Sequence, residues 1–73
     1  MARETVEVPI TGKIISVNVK VGDTVKEGDT LCILESMKME NPILAPVSGK
    51  IVEVKVSAEQ VVKTNDVIAI IEY

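Results

Sequence analysis

Glu35-Ser36-Met37-Lys38-Met39-Glu40 lies at the seam between two copies of one pattern. Shifted by 37 positions, residues 2–36 fall on residues 39–73 without a gap. Eleven pairs are then identical: Pro9/Pro46, Gly12/Gly49, Lys13/Lys50, Ile14/Ile51, Val17/Val54, Val19/Val56, Val25/Val62, Lys26/Lys63, Asp29/Asp66, Ile33/Ile70 and Glu35/Glu72. Most other apolar positions also pair with apolar partners, as in Ile15/Val52, Leu31/Ile68 and Leu34/Ile71. Met37 and Lys38 alone separate the copies. Two copies are too few for a solenoid, so the repeat predicts one closed, pseudo-symmetric domain over residues 1–73.

The copies read as strands. In the first, Thr5 to Val8 alternates polar and apolar, and Pro9 ends the run. Gly12 opens the next segment, in which Ile15, Val17, Val19 and Val21 alternate at period 2. Val21-Gly22-Asp23 and Glu27-Gly28-Asp29 are turns, which leaves Thr24 to Lys26 room for only a short strand. Thr30 to Glu35 is a nearly continuous apolar run, a pattern that suits a strand covered on both faces. The second copy repeats the plan through Asn41–Ala45, Lys50–Val56, Val61-Val62 and Asp66–Glu72. Pro42 suggests an edge position or a strand start. No stretch has helical period, length and caps. The expectation is all-β: eight short strands, four per copy, in a flattened barrel or sandwich. Residues 1–4 are expected to be flexible. Two turns break the repeat, because Glu59 matches Gly22 and Asn65 matches Gly28. Asn tolerates a left-handed backbone, whereas Glu predicts a different or looser turn at Ala58-Glu59-Gln60.

Composition excludes several classes. The 73 residues are 47% hydrophobic yet include no Phe or Trp and only Tyr73 as an aromatic, so Val, Ile and Leu must fill the core. The net charge of −3 and the scattered lysines argue against nucleic acid, which needs a basic patch. Cys32 is the single cysteine, so no internal disulfide forms; this fits a reducing compartment. No apolar run is long enough to cross a bilayer and no secretory signal opens the chain, so the expected location is cytoplasmic, with no membrane insertion. Cys32 lies in an apolar strand of a chain without His, and reads as a small core residue, not a nucleophile. With no metal-ligand cluster and no phosphate-binding glycine loop, the chain is not expected to be an enzyme by itself.

The seam has its own chemistry. Met37-Lys38 joins two strands as a two-residue loop. Such loops favour types I′ and II′, which select Asn-Gly or Gly-X. A broken local rule between two regular copies points to another use for those residues. Met37 and Met39 would offer an adaptable apolar contact beside an amine held clear of the domain. The bland alternative is a plain hairpin, with Glu35 and Glu40 as surface charges that guide a partner.

Glu35-Ser36-Met37-Lys38-Met39-Glu40, followed by Ala45-Pro46-Val47-Ser48-Gly49, resembles the attachment signature of biotinyl domains in biotin-dependent carboxylases and decarboxylases. Val21-Gly22-Asp23-Thr24-Val25 and Glu27-Gly28-Asp29-Thr30-Leu31 are similar to that family as well. The resemblance covers residues 5–73. It implies a barrel-sandwich of two four-stranded antiparallel sheets with quasi-twofold symmetry. It also implies biotin joined as an amide to Lys38 by a biotin protein ligase. The arm would carry carboxylate between a biotin carboxylase and a carboxyltransferase or decarboxylase, with Met37 and Met39 flanking the modified residue. Glu35, Ser36 and Glu40 are then candidates for ligase recognition. The sequence departs from the family pattern at Ser36, where Ala is usual, and at Glu59 and Asn65, where Gly is usual. It has no room between Val19 and Leu31 for the insertion that some acetyl-CoA carboxylase carriers have. Two other readings compete: a lipoyl carrier, whose lysine usually stands between Asp and Ala, and an unmodified interaction module.

Overall fold

The computed structural model describes residues 1–73. Its strands are β1 (Arg3–Glu7), β2 (Gly12–Val17), β3 (Thr24–Val25), β4 (Thr30–Ser36), β5 (Met39–Leu44), β6 (Gly49–Val54), β7 (Val61–Val62) and β8 (Val67–Glu72). They form two antiparallel four-stranded sheets, ordered β1-β8-β6-β3 and β5-β4-β2-β7. The 37-residue offset maps β1, β2, β3 and β4 onto β5, β6, β7 and β8, so it carries one sheet onto the other. Each sheet therefore contains strands of both copies, and neither copy completes a sheet alone. This is the expected barrel-sandwich with quasi-twofold symmetry. Pro42 lies in β5, at a sheet edge.

The β-branched strands bury one contiguous cluster between the sheets, including Ile14, Leu31, Leu34, Ile51, Ile68 and Ile71. Burial does not follow plain alternation. Ile14 is the fully buried residue of β2, while Ile15 and Val17 are intermediate and Val21, beyond the strand, is exposed. The reason is a β-bulge: pairing with β4 moves from Ile14↔Leu34 to Ser16↔Ile33 and leaves Ile15 as the extra residue. A second bulge, in β4 against β5, skips Leu31. Leu31 and Cys32 can then both be buried, although they are consecutive. The apolar run of β4 thus reflects a bulge, not cover on both faces, since Glu35 is exposed and Ile33 only partly buried. Bulges at Val52 in β6 and Ile68 in β8 repeat the arrangement.

The turns also keep the symmetry. Gly22 (φ 98°) and Glu59 (φ 72°) are both left-handed, as are Gly28 (92°) and Asn65 (75°). The Glu59 turn is therefore not of a different geometry, as its residue type predicts. It is tied in at both ends: Glu59 N donates to Ile14 O, and Ile14 N donates to Gln60 O. Gly22 and Asp23 make the matching pair of bonds with Ile51. The Gln60 side chain accepts from Ser57 N at 3.0 Å, as the Asp23 carboxylate accepts from Lys20 N at 2.9 Å. Lys13 Nζ lies 3.6 Å from the Glu59 carboxylate. These contacts hold Glu59 in a backbone region that costs a non-glycine residue about 1–2 kcal/mol.

Most of the segment expected to be flexible is paired. Arg3 and Glu4 belong to β1, and Ala2 exchanges both backbone bonds with Tyr73. Arg3 Nε also donates to the Glu72 carboxylate at 3.3 Å.

Gly12 and Gly49 open β2 and β6 where these strands lie closely against the ends of their sheet neighbours β4 and β8. A Cβ on Gly49 would run into the Glu72 carbonyl oxygen and lie 2.8 Å from Ile71 Cγ2. Gly49→Ala should therefore lower unfolding stability by about 1–3 kcal/mol, read as a lower urea midpoint at unchanged m.

Candidate functional site

Strands β4 and β5 run in register to the end of their hairpin. Glu35 faces Glu40 and Ser36 faces Met39, which leaves Met37 and Lys38 as the whole loop. Both loop residues have positive φ, 54° and 65°. This is the backbone a two-residue turn needs to match strand twist, here adopted by residues that disfavour it. Neighbouring groups hold it in place. Asn41 Nδ2 donates to Met39 O at 3.3 Å and to Leu34 O at 3.4 Å. Ser36 points inward at 8% exposure, and its hydroxyl donates to Thr11 O at 3.0 Å. A small residue is required there, and the serine hydroxyl finds its own acceptor.

The tip is solvated. Met37 is 83% exposed and Met39 65%. Lys38 is exposed, and its ammonium joins none of the three ion pairs of the molecule. Its amine is thus free to be approached. On the outer face of the sheet, Glu40, Glu35, Lys13 and Val61 follow one another across β5, β4, β2 and β7. Glu35 and Glu40, directly opposed, repel; Lys13, on the other side of Glu35, offsets part of that cost.

The candidate residues Glu35, Ser36, Met37, Lys38, Met39 and Glu40 are therefore contiguous in space as in sequence. Sequence reasoning missed their supports. Thr11, Gly12, Lys13 and Val61 border Lys38 in an open depression of about 420 Å³. One signal for this was available: exposed Val61 stands where the other copy has Thr24.

The hairpin is remote from the chain ends. Ser36 bonds Thr11, and the Thr11 hydroxyl lies 3.5 Å from that of Thr64. The adjoining Asn65 donates to Val8 O, just beyond the last residue of β1. Ala2 and Tyr73 pair at the other end of that strand, roughly 20 Å from Val8 at about 3.3 Å per residue. The longest dimension of the molecule is 36 Å.

Cys32 takes no part in the site. It is fully buried at the position matched by Ala69, and desolvation pushes its thiol from 9.0 up to about 11.

A family model described as "Biotin-requiring enzyme" matches residues 4–71. The gamma subunit of glutaconyl-CoA decarboxylase from Acidaminococcus fermentans is 62% identical over 40 residues, 55% of this chain and 28% of that protein. The biotin carboxyl carrier protein of Streptococcus mutans is 54% identical over 44 residues, 60% of this chain and 34% of that protein. The urea carboxylase of Kluyveromyces lactis superposes with a TM-score of 0.89 at 30% identity, over 99% of this chain and 6% of that one. The matches thus span about a third or less of these proteins.

Two outcomes follow from the geometry. Replacing Met37-Lys38 by Asn-Gly relieves two left-handed side chains, and should raise unfolding stability by about 1–2 kcal/mol in urea titrations. The raised Cys32 pKa leaves its contribution to stability intact below about pH 9, and the contribution is lost as pH rises through about 11. At about pH 8, iodoacetamide should label Cys32 far more slowly than a cysteine peptide, until denaturant opens the fold.

Proposed function

The chain belongs to this biotin-requiring family, and from that membership we propose that it is a biotin carboxyl carrier with Lys38 as its attachment residue. The observation that carries the reading is the free amine of Lys38 at the tip of a strained two-residue turn, exposed and without an ion-pair partner. A biotin protein ligase would present the biotin carboxyl in activated form. Lys38 Nζ, once deprotonated in that ligase's site, attacks the acyl carbon; the activating group leaves, and an amide remains.

The residues fit such an arm. Nothing in the fold competes for the amine, and the flanking backbone is fixed on both sides by register and by Asn41. Bound biotin carries a carboxyl group on a ring nitrogen from one active site to another. The chain's own part is presentation. Met37 and Met39 offer soft apolar contact to each enzyme in turn, and Glu35 and Glu40 add a negative face that selects among partners. Tethering the group to a small domain raises its effective concentration at both sites without tight binding at either. Chain ends at the far end of the molecule leave the hairpin clear of any attachment there.

The partners proposed are a biotin protein ligase, a biotin carboxylase and a carboxyltransferase or decarboxylase. The domain itself would be non-catalytic.

Intact-mass measurement tests this directly. Made with an active ligase and ample biotin, the chain should gain the mass of one biotinyl group, and Lys38→Arg should show the bare polypeptide. An unmodified wild-type chain under those conditions would overturn the assignment.

A further inference from the structure

The two copies of the repeat treat their sheet edges differently. Just before β1, Ala2 exchanges both backbone bonds with Tyr73, and just after it Val8 N donates to Asp66 O and Val8 O accepts from Asn65 N. Alternation of the antiparallel ladder then turns the even-numbered residues toward β8. The N–H and C=O groups of Arg3, Thr5 and Glu7 point away from the sheet, and β1 is an edge strand. In β5, the edge strand of the other sheet, the position matching Thr5 is Pro42, which has no N–H to offer. One edge is blunted beside the Lys38 hairpin, and the equivalent edge is left open.

The open edge is complementary to itself. An antiparallel pairing of β1 with β1 of a second copy, centred on Thr5, sets Thr5 opposite Thr5 and Arg3 opposite Glu7 in both directions. These are the outward-pointing residues, so each can exchange both of its backbone bonds. Their side chains are also the exposed ones of β1, while Val6 is buried. Arg3 already lies against Glu72 of its own chain, and in the pair it would sit between two carboxylates. We propose that β1 is a self-recognition edge, through which two copies of this chain join their β1-β8-β6-β3 sheets across a twofold axis. The interface belongs to the small, transient class, since two short strands bury little area. The Lys38 hairpin is on the other sheet and stays exposed in the pair.

Sedimentation equilibrium of the 73-residue chain over a wide concentration range tests this. The wild type is expected to show a monomer–dimer equilibrium. Thr5→Pro removes an outward N–H only, as Pro42 does in the same strand position of the other copy, and it should abolish the dimer. Arg3→Glu places like charges opposite each other at both ends of the pair, and should weaken association at least about tenfold. Arg3→Glu combined with Glu7→Arg should restore it. A wild type that stays monomeric at every concentration overturns the proposal, as does a dimer indifferent to Thr5→Pro or to Arg3→Glu. If the proline variant fails to fold, the charge reversal and its rescue decide the matter alone.

Discussion

Neither 35-residue copy can bury its own apolar face, and the rest of the molecule follows from that. β1 and β3 complete the sheet built on β6 and β8, while β5 and β7 complete the one built on β2 and β4. The copies are therefore interleaved, and the core exists only when both are in place. For so short a chain this arrangement is efficient: a domain of this size covers only about 60% of its unfolded surface. The glycines at the starts of β2 and β6 have a separate cause, internal to each copy. There β2 and β6 lie so close to the ends of their sheet neighbours β4 and β8 that no Cβ fits against the carbonyl oxygens of Glu35 and Glu72.

Interleaving leaves a single link where one copy passes into the next, and that link is strained. Four non-glycine residues have left-handed backbones: Met37, Lys38, Glu59 and Asn65. At about 1–2 kcal/mol each, the cost for the two in the hairpin is significant against a total stability on the order of 4–11 kcal/mol for a chain of this length. Glu59 and Asn65 are tied in by backbone bonds to Ile14 and Val8. Met37 and Lys38 have no such ties of their own; the register of β4 with β5 and the Asn41 amide hold them from either side. The strain thus falls on two exposed residues at the tip of the hairpin. Stability alone would select Asn-Gly there, so the presence of Met-Lys indicates a use outside the fold.

The element plan was legible because the repeat offset appears identically in sequence and in space. Gly12/Gly49 and Val25/Val62 mark matching strand positions in both. The bulges were not legible. An extra residue such as Ile15 or Leu31 leaves the apolar content unchanged and only shifts which neighbour faces inward, so plain alternation marked Ile15 where Ile14 is buried. The Glu59 turn was misread for a different reason. Its geometry is set by long-range bonds to Ile14, and local propensity carries no information about those. Pairing of Ala2 and Arg3 with the C-terminal strand is likewise non-local. At the candidate site, the hairpin residues were legible as a broken turn rule, whereas Thr11 and Asn41, which brace it, show no local signature.

The pseudo-symmetry supplies an internal control for deciding which departures matter. Substitutions such as Gly22/Glu59 and Gly28/Asn65 leave the backbone geometry the same in both copies. Some departures change what the surface offers at the hairpin. Val61 replaces Thr24 in the depression beside Lys38, and Pro42 replaces Thr5 on the edge next to it. The position matching Lys38 is Met1, which precedes the Ala2–Tyr73 pair. One end of a nearly symmetric body thus has a proline on its edge strand, and it holds the Lys38 amine clear of the fold. The other end has an open edge strand, β1. Symmetric folding needs neither difference, so both are best attributed to what the two ends must meet.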